Sequence, residues 1–206
     1  MINNSLNEIW QKLKESKNVL MSLHSSPDGD SLGSCTAFKR IIDQNTKAKA
    51  KIVSFDSIDK TLQTHVISKE VEFGKDVLDL DLNNYDTLLA LDTSELYRMG
   101  KKKEKNFAMP ENIFIINIDH HETNQFFGNL NYIIPNASSC CSILFSLFKS
   151  WKVKIDKETA TRLLLGVSTD SAFFTNSNSE ESIKDAAELI SLGASYNKEI
   201  VKPILQ

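Results

Sequence analysis

Ile113-Phe114-Ile115-Ile116-Asn117-Ile118-Asp119-His120-His121 is a short apolar run that stops at a carboxylate and two imidazoles. Its length and its Ile content predict a buried strand over Ile113 to Ile118. The same ending recurs upstream, where Val19 to Leu23 runs into His24 and Leu88 to Leu91 runs into Asp92. In a parallel sheet the carboxyl ends of the strands share one edge, and such folds place their ligands there. One acidic strand end is a cap or a turn. Three on one edge, two of them carrying histidine, predict a site.

Outward from these strands the chain alternates. Leu6, Ile9, Trp10 and Leu13 recur at helical spacing, as do Ala37, Phe38, Ile41 and Ile42 within Ser31 to Gln44. Lys51 to Phe55 reads as a strand. Ser57 to Asn84 reads as turns with a short helix and a strand near Val71 to Phe73. After Pro135 the periodicity is helical over Ser138 to Trp151, Lys157 to Thr169, Glu180 to Leu192 and Asn197 to Leu205. Strands alternating with helices predict an α/β fold, a mostly parallel sheet flanked by helices. Trp10 and Trp151 fall on apolar helix faces and read as core.

The 206 residues fit one large domain, and 41% hydrophobic with 25% charged content is ordinary for a globular core. The net charge of −3 offers no bulk attraction for long nucleic acid. A small anionic substrate remains open, because a bound cation dominates its local field. No apolar run approaches the roughly 20 residues of a membrane span, and the first residues lack the apolar stretch of a signal peptide. Cys35, Cys140 and Cys141 make no disulfide framework and read as small buried side chains. The cytoplasm is the expected compartment, with no membrane partner.

Chemistry concentrates at four places. In His24-Ser-Ser-Pro-Asp28-Gly-Asp30, Gly29 lets the backbone turn between two carboxylates. Asp28-Gly29 also reads as a plain turn, and Asp30 as a helix N-cap. A calcium loop fails, because Leu32 and Lys39 stand where ligands are needed. Asp92 and Asp119-His120-His121 end strands, and Asp170 ends an apolar helix within Gly166-Val-Ser-Thr-Asp170-Ser171. Carboxylates and imidazoles without a thiolate motif suit manganese or magnesium, or iron or cobalt, better than structural zinc. The set is too large for one open ion and large enough for two, about 3.5–4 Å apart with a shared carboxylate. Ser138 and Ser139, at a helix start, either present N–H groups to a phosphate or simply cap the helix. Arg98 reads as a phosphate clamp or a surface ion pair. Lys101 to Lys105 reads as a solvated loop.

The order His24-x-x-x-Asp28-x-Asp30, Asp92, Asp119-His120-His121, Gly166-x-x-x-Asp170-Ser171 resembles the DHH phosphoesterase family from about His24 to Asn176. Leu91-Asp-Thr-Ser-Glu-Leu-Tyr-Arg98-Met-Gly100, Asn136-Ala-Ser-Ser139 and Thr169-Asp-Ser-Ala-Phe-Phe-Thr-Asn176 are similar to its branch that degrades nanoRNA and dephosphorylates 3′-phosphoadenosine 5′-phosphate. The resemblance implies a hydrolase of phosphoric ester bonds acting on small nucleotides or very short RNA. Its cofactors would be two Mn2+, with Mg2+ or Co2+ as substitutes, activating a hydroxide. It implies that His24 and Asp28 hold one ion, that Asp30, His120 and Asp170 hold the other, and that Asp92 bridges both. Asp119 would orient His120, and His121 would contact phosphate or protonate the leaving oxygen. Arg98, Ser138 and Ser139 would contact substrate. Cyclic-dinucleotide phosphodiesterase and RecJ-type exonuclease are the alternatives within the family. A metal- or nucleotide-binding module, inactive without a partner domain, is the alternative of another class. Family members usually carry a second domain with a Gly-Gly-Gly-His motif, whereas no two of the seven glycines here are adjacent. Residues 1–206 are therefore expected to be the catalytic domain, partnered in the full-length protein by a C-terminal DHH-associated domain. A homodimer is left open.

Overall fold

The structure, a computed structural model, describes residues 3–63, 65–100, 109–175 and 179–205. Six strands form one parallel sheet: β1 (Asn18–Ser22), β2 (Lys49–Ser54), β3 (Val71–Phe73), β4 (Thr87–Leu91), β5 (Phe114–Asp119) and β6 (Leu130–Ile133), in the order β3-β2-β1-β4-β5-β6. The chain builds outward from β1 to β3, returns to the middle at β4 and builds outward the other way. Strand order thus reverses between β1 and β4, the position where open parallel sheets form a crevice. Pairing of Met21 with Leu89 and of Leu91 with Ile118 brings His24, Asp92 and Asp119 to one edge. The α/β expectation holds. β6 was absent from the sequence reading; Leu130 to Ile133 is a four-residue edge strand with alternating burial, too short for its periodicity to stand out.

The α-helices are α1 (Leu6–Glu15), α2 (Gly29–Asn45), α3 (Lys60–Gln63), α4 (Cys140–Ser150), α5 (Lys157–Asp170), α6 (Ser179–Ser191) and α7 (Lys202–Leu205). Alternation along the strands separates two cores. Val19, Met21, Leu23, Leu89, Leu91, Ile116 and Ile118 pack with the helices, including Leu32, Phe38, Leu144, Phe148, Leu163 and Leu164. Leu20, Val53, Leu88, Ala90 and Ile115 pack under turns that carry Val77, Leu82, Tyr85 and Met99. Among the described residues the flanking α-helices therefore cover one face, and short 3-10 turns cover the other. Every residue of β4 is buried, as expected of a strand covered on both sides.

Trp10 stacks on Trp151 with ring centroids 4.7 Å apart, and Trp151 Nε1 donates to Leu6 O, fastening α1 to the end of α4. Cys35, Cys140 and Cys141 are free and buried. Among the described residues no helix is long and apolar enough to cross a membrane.

Candidate metal centre

Asp92 follows β4 directly and turns the chain with φ 55°, a left-handed conformation that aspartate tolerates better than most residues. Its N–H donates to Ile118 O at 3.1 Å, so β5 holds the turn. The buried carboxylate spans two imidazoles. Oδ2 lies 3.2 Å from His24 Nε2, and Oδ1 lies 3.4 Å from His120 Nε2. Each of these rings has its other nitrogen against a backbone carbonyl: His24 Nδ1 meets Ser25 O at 2.9 Å, and His120 Nδ1 meets Ala137 O at 3.3 Å. A carbonyl only accepts, so Nδ1 carries the hydrogen in both rings and Nε2 is the nitrogen offered to the site.

Three groups of potential ligand atoms result, with all atoms in each group within 4.8 Å of one another. His24, Asp28 and Asp92 form one; Asp30, His120 and Asp170 form a second; Asp92, Asp119, His120 and His121 form the third. The structure thus brings together every carboxylate and imidazole singled out in the sequence. Asp28, not Asp30, is the N-cap of α2: its Oδ1 accepts from the N–H groups of Asp30 and Ser31, each at 3.0 Å.

Asp30 lies in the first turn of α2 and is 1% exposed. Its two oxygens accept from Cys140 N (2.7 Å) and Cys141 N (3.0 Å), the first amides of α4, where the helix dipole favours negative charge. An oxygen that accepts one N–H keeps a second lone pair for a cation. Of the two readings of Ser139, the structure shows the cap of α4. The next amide, Ser142 N, goes to Ser139 Oγ at 3.0 Å, so the N–H groups of Cys140, Cys141 and Ser142 already have acceptors. Ser139 is a fully buried cap. Ser138 Oγ pairs with Ser142 Oγ and borders a cavity of about 200 Å³ that His120, Asp170, Ser171 and Ser182 also line.

A second correction concerns Asp119, expected to orient His120. Both rings turn toward Asp92 Oδ1, His120 through Nε2 (3.4 Å) and His121 through Nδ1 (3.9 Å), but His120 Nδ1 is engaged by Ala137 O, which leaves His121 as the ring that Asp119 can hold. Asp119 Oδ1 accordingly accepts from His121 Nδ1 at 2.7 Å, while Asn124 Nδ2 donates to Oδ2 at 2.6 Å. Both oxygens of Asp119 are engaged by side chains, those of His121 and Asn124. Arg98 lies half-buried in the turn Leu96–Met99, where its carbonyl accepts from Ser25 N at 2.8 Å. Its guanidinium makes no hydrogen bond or ion pair among the described residues, so it is not joined to the cluster. Lys101 to Lys105 and Asn176 lie outside the described residues.

Charge is unbalanced in this cluster. Burial pushes Asp30 well above the usual carboxylate range, and the charges of Asp92 and Asp170 push it further. Burial likewise raises Asp170 to about 6, against the pull of His120. Burial opposes ionisation of Asp92 too, yet hydrogen bonds from His120 and His24 hold it well below the usual range. Burial works against charge on both histidines, but their contacts with Asp92 raise His24 to about 9 and His120 to about 10. Without a bound cation, the carboxylates thus favour the charged form of both rings. Hard oxygen donors in excess, with two Nε2 atoms aimed inward, fit divalent cations of the manganese and magnesium type.

Gly166 on α5 leaves the space that Asp30 occupies, since a Cβ there would lie 2.4 Å from Asp30 Oδ1 and 2.3 Å from Cys141 Sγ. Gly166→Ala should displace the carboxylate, destabilise the fold by about 1–3 kcal/mol through overpacking, and weaken manganese binding. Denaturant unfolding with a parallel metal titration checks this. A variant with wild-type midpoint and affinity would show that the contact is slack.

Asn117 and Asn124 were missed in the sequence, although Asn117 stands out as a lone amide inside the run Ile115-Ile116-Asn117-Ile118. The family described as "DHH family, N-terminal domain" matches residues 18–167. The bifunctional oligoribonuclease and PAP phosphatase NrnA of Thermus thermophilus is 31% identical over 89% of this chain and 55% of its own length. The cyclic-di-AMP phosphodiesterase GdpP of Bacillus subtilis is 27% identical over 94% of this chain and 30% of its own length. The chain thus spans about half of the first relative and under a third of the second. An exopolyphosphatase-related protein from Bacteroides fragilis superposes with a TM-score of 0.82 at 24% identity, covering 97% of this chain and 59% of that one, which shows a shared fold.

Proposed function

This chain belongs to the DHH family of phosphoesterases, and from that premise we propose that it hydrolyses phosphate esters of small nucleotides or very short RNA with two divalent ions. The observation that carries the reading is the bridging position of Asp92, one oxygen toward each of two histidines whose Nε2 atoms face inward. His24 and Asp28 would hold one ion, Asp30, His120 and Asp170 the other, and Asp92 both. Divalent ions there supply Lewis acidity toward the phosphate and a water. Manganese is the ion to try first, with magnesium and cobalt as substitutes, on the chemistry of the donors. His121 has its Nδ1 hydrogen committed to Asp119, so when the ring also carries a proton on Nε2 that proton is the one passed to the leaving oxygen, and the ring remains as the neutral Nδ1–H form. The free buried thiols fit a reducing compartment, and the cytoplasm is proposed.

Among substrates, the relative named as an oligoribonuclease and PAP phosphatase has the higher identity of the two, which favours linear dinucleotides and 3′-phosphoadenosine 5′-phosphate over cyclic dinucleotides. Residues 1–206 are proposed to be the catalytic part, with base recognition supplied by a C-terminal DHH-associated domain. The 206-residue chain should then release p-nitrophenol from a generic phosphodiester only with manganese or a substitute, slowly and with little preference among bases. Supplying the associated domain should lower KM for linear dinucleotides far more than for the p-nitrophenyl ester. Faster cleavage of a cyclic than of a linear dinucleotide would move the assignment to the cyclic-dinucleotide class. Two bound ions without turnover of any ester would favour a binding module.

A further inference from the structure

The loop after His121 carries an amide whose hydrogen-bonding capacity is spent on the site. Asn124 is 7% exposed. Its Nδ2 donates to Asp119 Oδ2 (2.6 Å), to Asn117 Oδ1 (2.9 Å) and to Thr93 O (3.2 Å), and its Oδ1 accepts from Phe126 N (2.7 Å). The neighbours fix its orientation, because Phe126 N–H needs an acceptor and the Asp119 carboxylate needs a donor. Asn117, fully buried in β5, donates from Nδ2 to Ala90 O (3.3 Å) and Thr93 O (3.1 Å). The carbonyls of Ala90 and Thr93 flank the left-handed turn of Asp92. Two buried amides therefore join the turn that carries Asp92 to the carboxylate that holds His121.

We propose that Asn124 is a positioning residue for the reaction: it fixes the Asp119 carboxylate so that Asp119 keeps a hydrogen on His121 Nδ1, leaving Nε2 as the ring nitrogen that exchanges its proton with the substrate. The inference rests on the reading of His121 as proton donor given above. Which ring nitrogen of a histidine carries the hydrogen is set by the partner of the other. Asp119 can impose that choice only while its own carboxylate stays in one rotamer, and Asn124 occupies the oxygen that His121 leaves free. Asn117 sets Asn124 in turn and ties both to the Asp92 turn, so the two loops keep one relative position.

A plain turn role for Asn124 makes a different forecast. Its acceptor contact to Phe126 N is an Asx-turn bond, which aspartate or serine supplies as well. Asn124→Asp keeps the shape and that acceptor but sets a second carboxylate against Asp119. Asn124→Ser keeps a turn-forming oxygen, adds no charge, and is too short to reach Asp119. For the Ser variant we expect kcat on a p-nitrophenyl phosphodiester to fall about 10–100-fold, the range seen when a supporting partner of an active group is lost. KM and occupancy by manganese should stay unchanged. Nitrogen NMR of the zinc- or magnesium-loaded protein should show His121 passing from a single Nδ1–H tautomer to a mixture, and the Asp variant should lose at least as much activity. Wild-type kcat with a single tautomer in Asn124→Ser would overturn the proposal, as would a loss of rate that follows loss of metal. The tautomer reports on Asn124 whether or not the ester is turned over. A wild-type protein that holds ions, shows the tautomer and cleaves nothing would refute the phosphoesterase reading and leave the hydrogen-bond relay standing.

Discussion

Asp92→Asn should lower turnover of a generic phosphodiester by on the order of 10³-fold, because losing even a supporting partner costs about 10–100-fold and this residue serves two ions directly. It should also take the metal stoichiometry from two toward none. The carboxylate presents separate oxygens to His24 and His120, and the amide that replaces it keeps one oxygen and turns the other corner into a donor. Asparagine suits the left-handed backbone at φ 55° as well as aspartate does, so the turn and the hydrogen bond to Ile118 should persist. Metal analysis after dialysis against manganese, set beside the rate of p-nitrophenol release, gives the measurement. Two ions retained in the variant, or a single tight ion in the wild type, would end the bridging assignment.

His120→Ala and His121→Ala should differ in kind although the rings are adjacent. His120 turns Nε2 inward, toward Asp92 and Asp170, and its loss should strip metal and rate together. His121 is tied through Nδ1 to Asp119, with its side chain 35% exposed. Its loss should leave manganese binding intact and reduce kcat by roughly 10²–10⁴-fold, the usual contribution of a positioned general acid. Calorimetric manganese titration of each variant separates the two. Equal loss of metal in both would place His121 among the ligands.

The strand ends were legible because each is a short apolar run broken by a polar residue that must find a partner when buried. Val19 to Leu23, Leu88 to Leu91 and Ile113 to Ile118 therefore announced both the sheet and the edge that carries the site. Partners were not legible. Whether Asp119 meets His120 or His121 depends on the contact of His120 Nδ1 with Ala137 O, 17 residues on, which a motif does not encode. The use of the α4 start by Asp30 depends on two segments 110 residues apart meeting, which no local pattern encodes. β6 escaped because four residues hold too few periods. The cover on the second face was not legible either, since 3-10 turns such as Val77–Asp79 and Leu82–Asn84 have no apolar stripe to read.

That long separation also sets an order of events as the chain is made. Asp30 leaves the ribosome well before the amides that will hold it, and at roughly 5–20 residues per second the wait is about 5 to 20 seconds. His24, Asp28 and Asp30 spend that interval without Asp92 for part of it and without Asp170 for all of it. A loose trio of that kind would take whichever divalent ion binds nitrogen and oxygen most avidly, copper before manganese. The completed cluster instead closes only when the sheet has been joined across β1 and β4. Cavity shape can therefore weigh against raw avidity only once Asp92 and Asp170 have joined the trio.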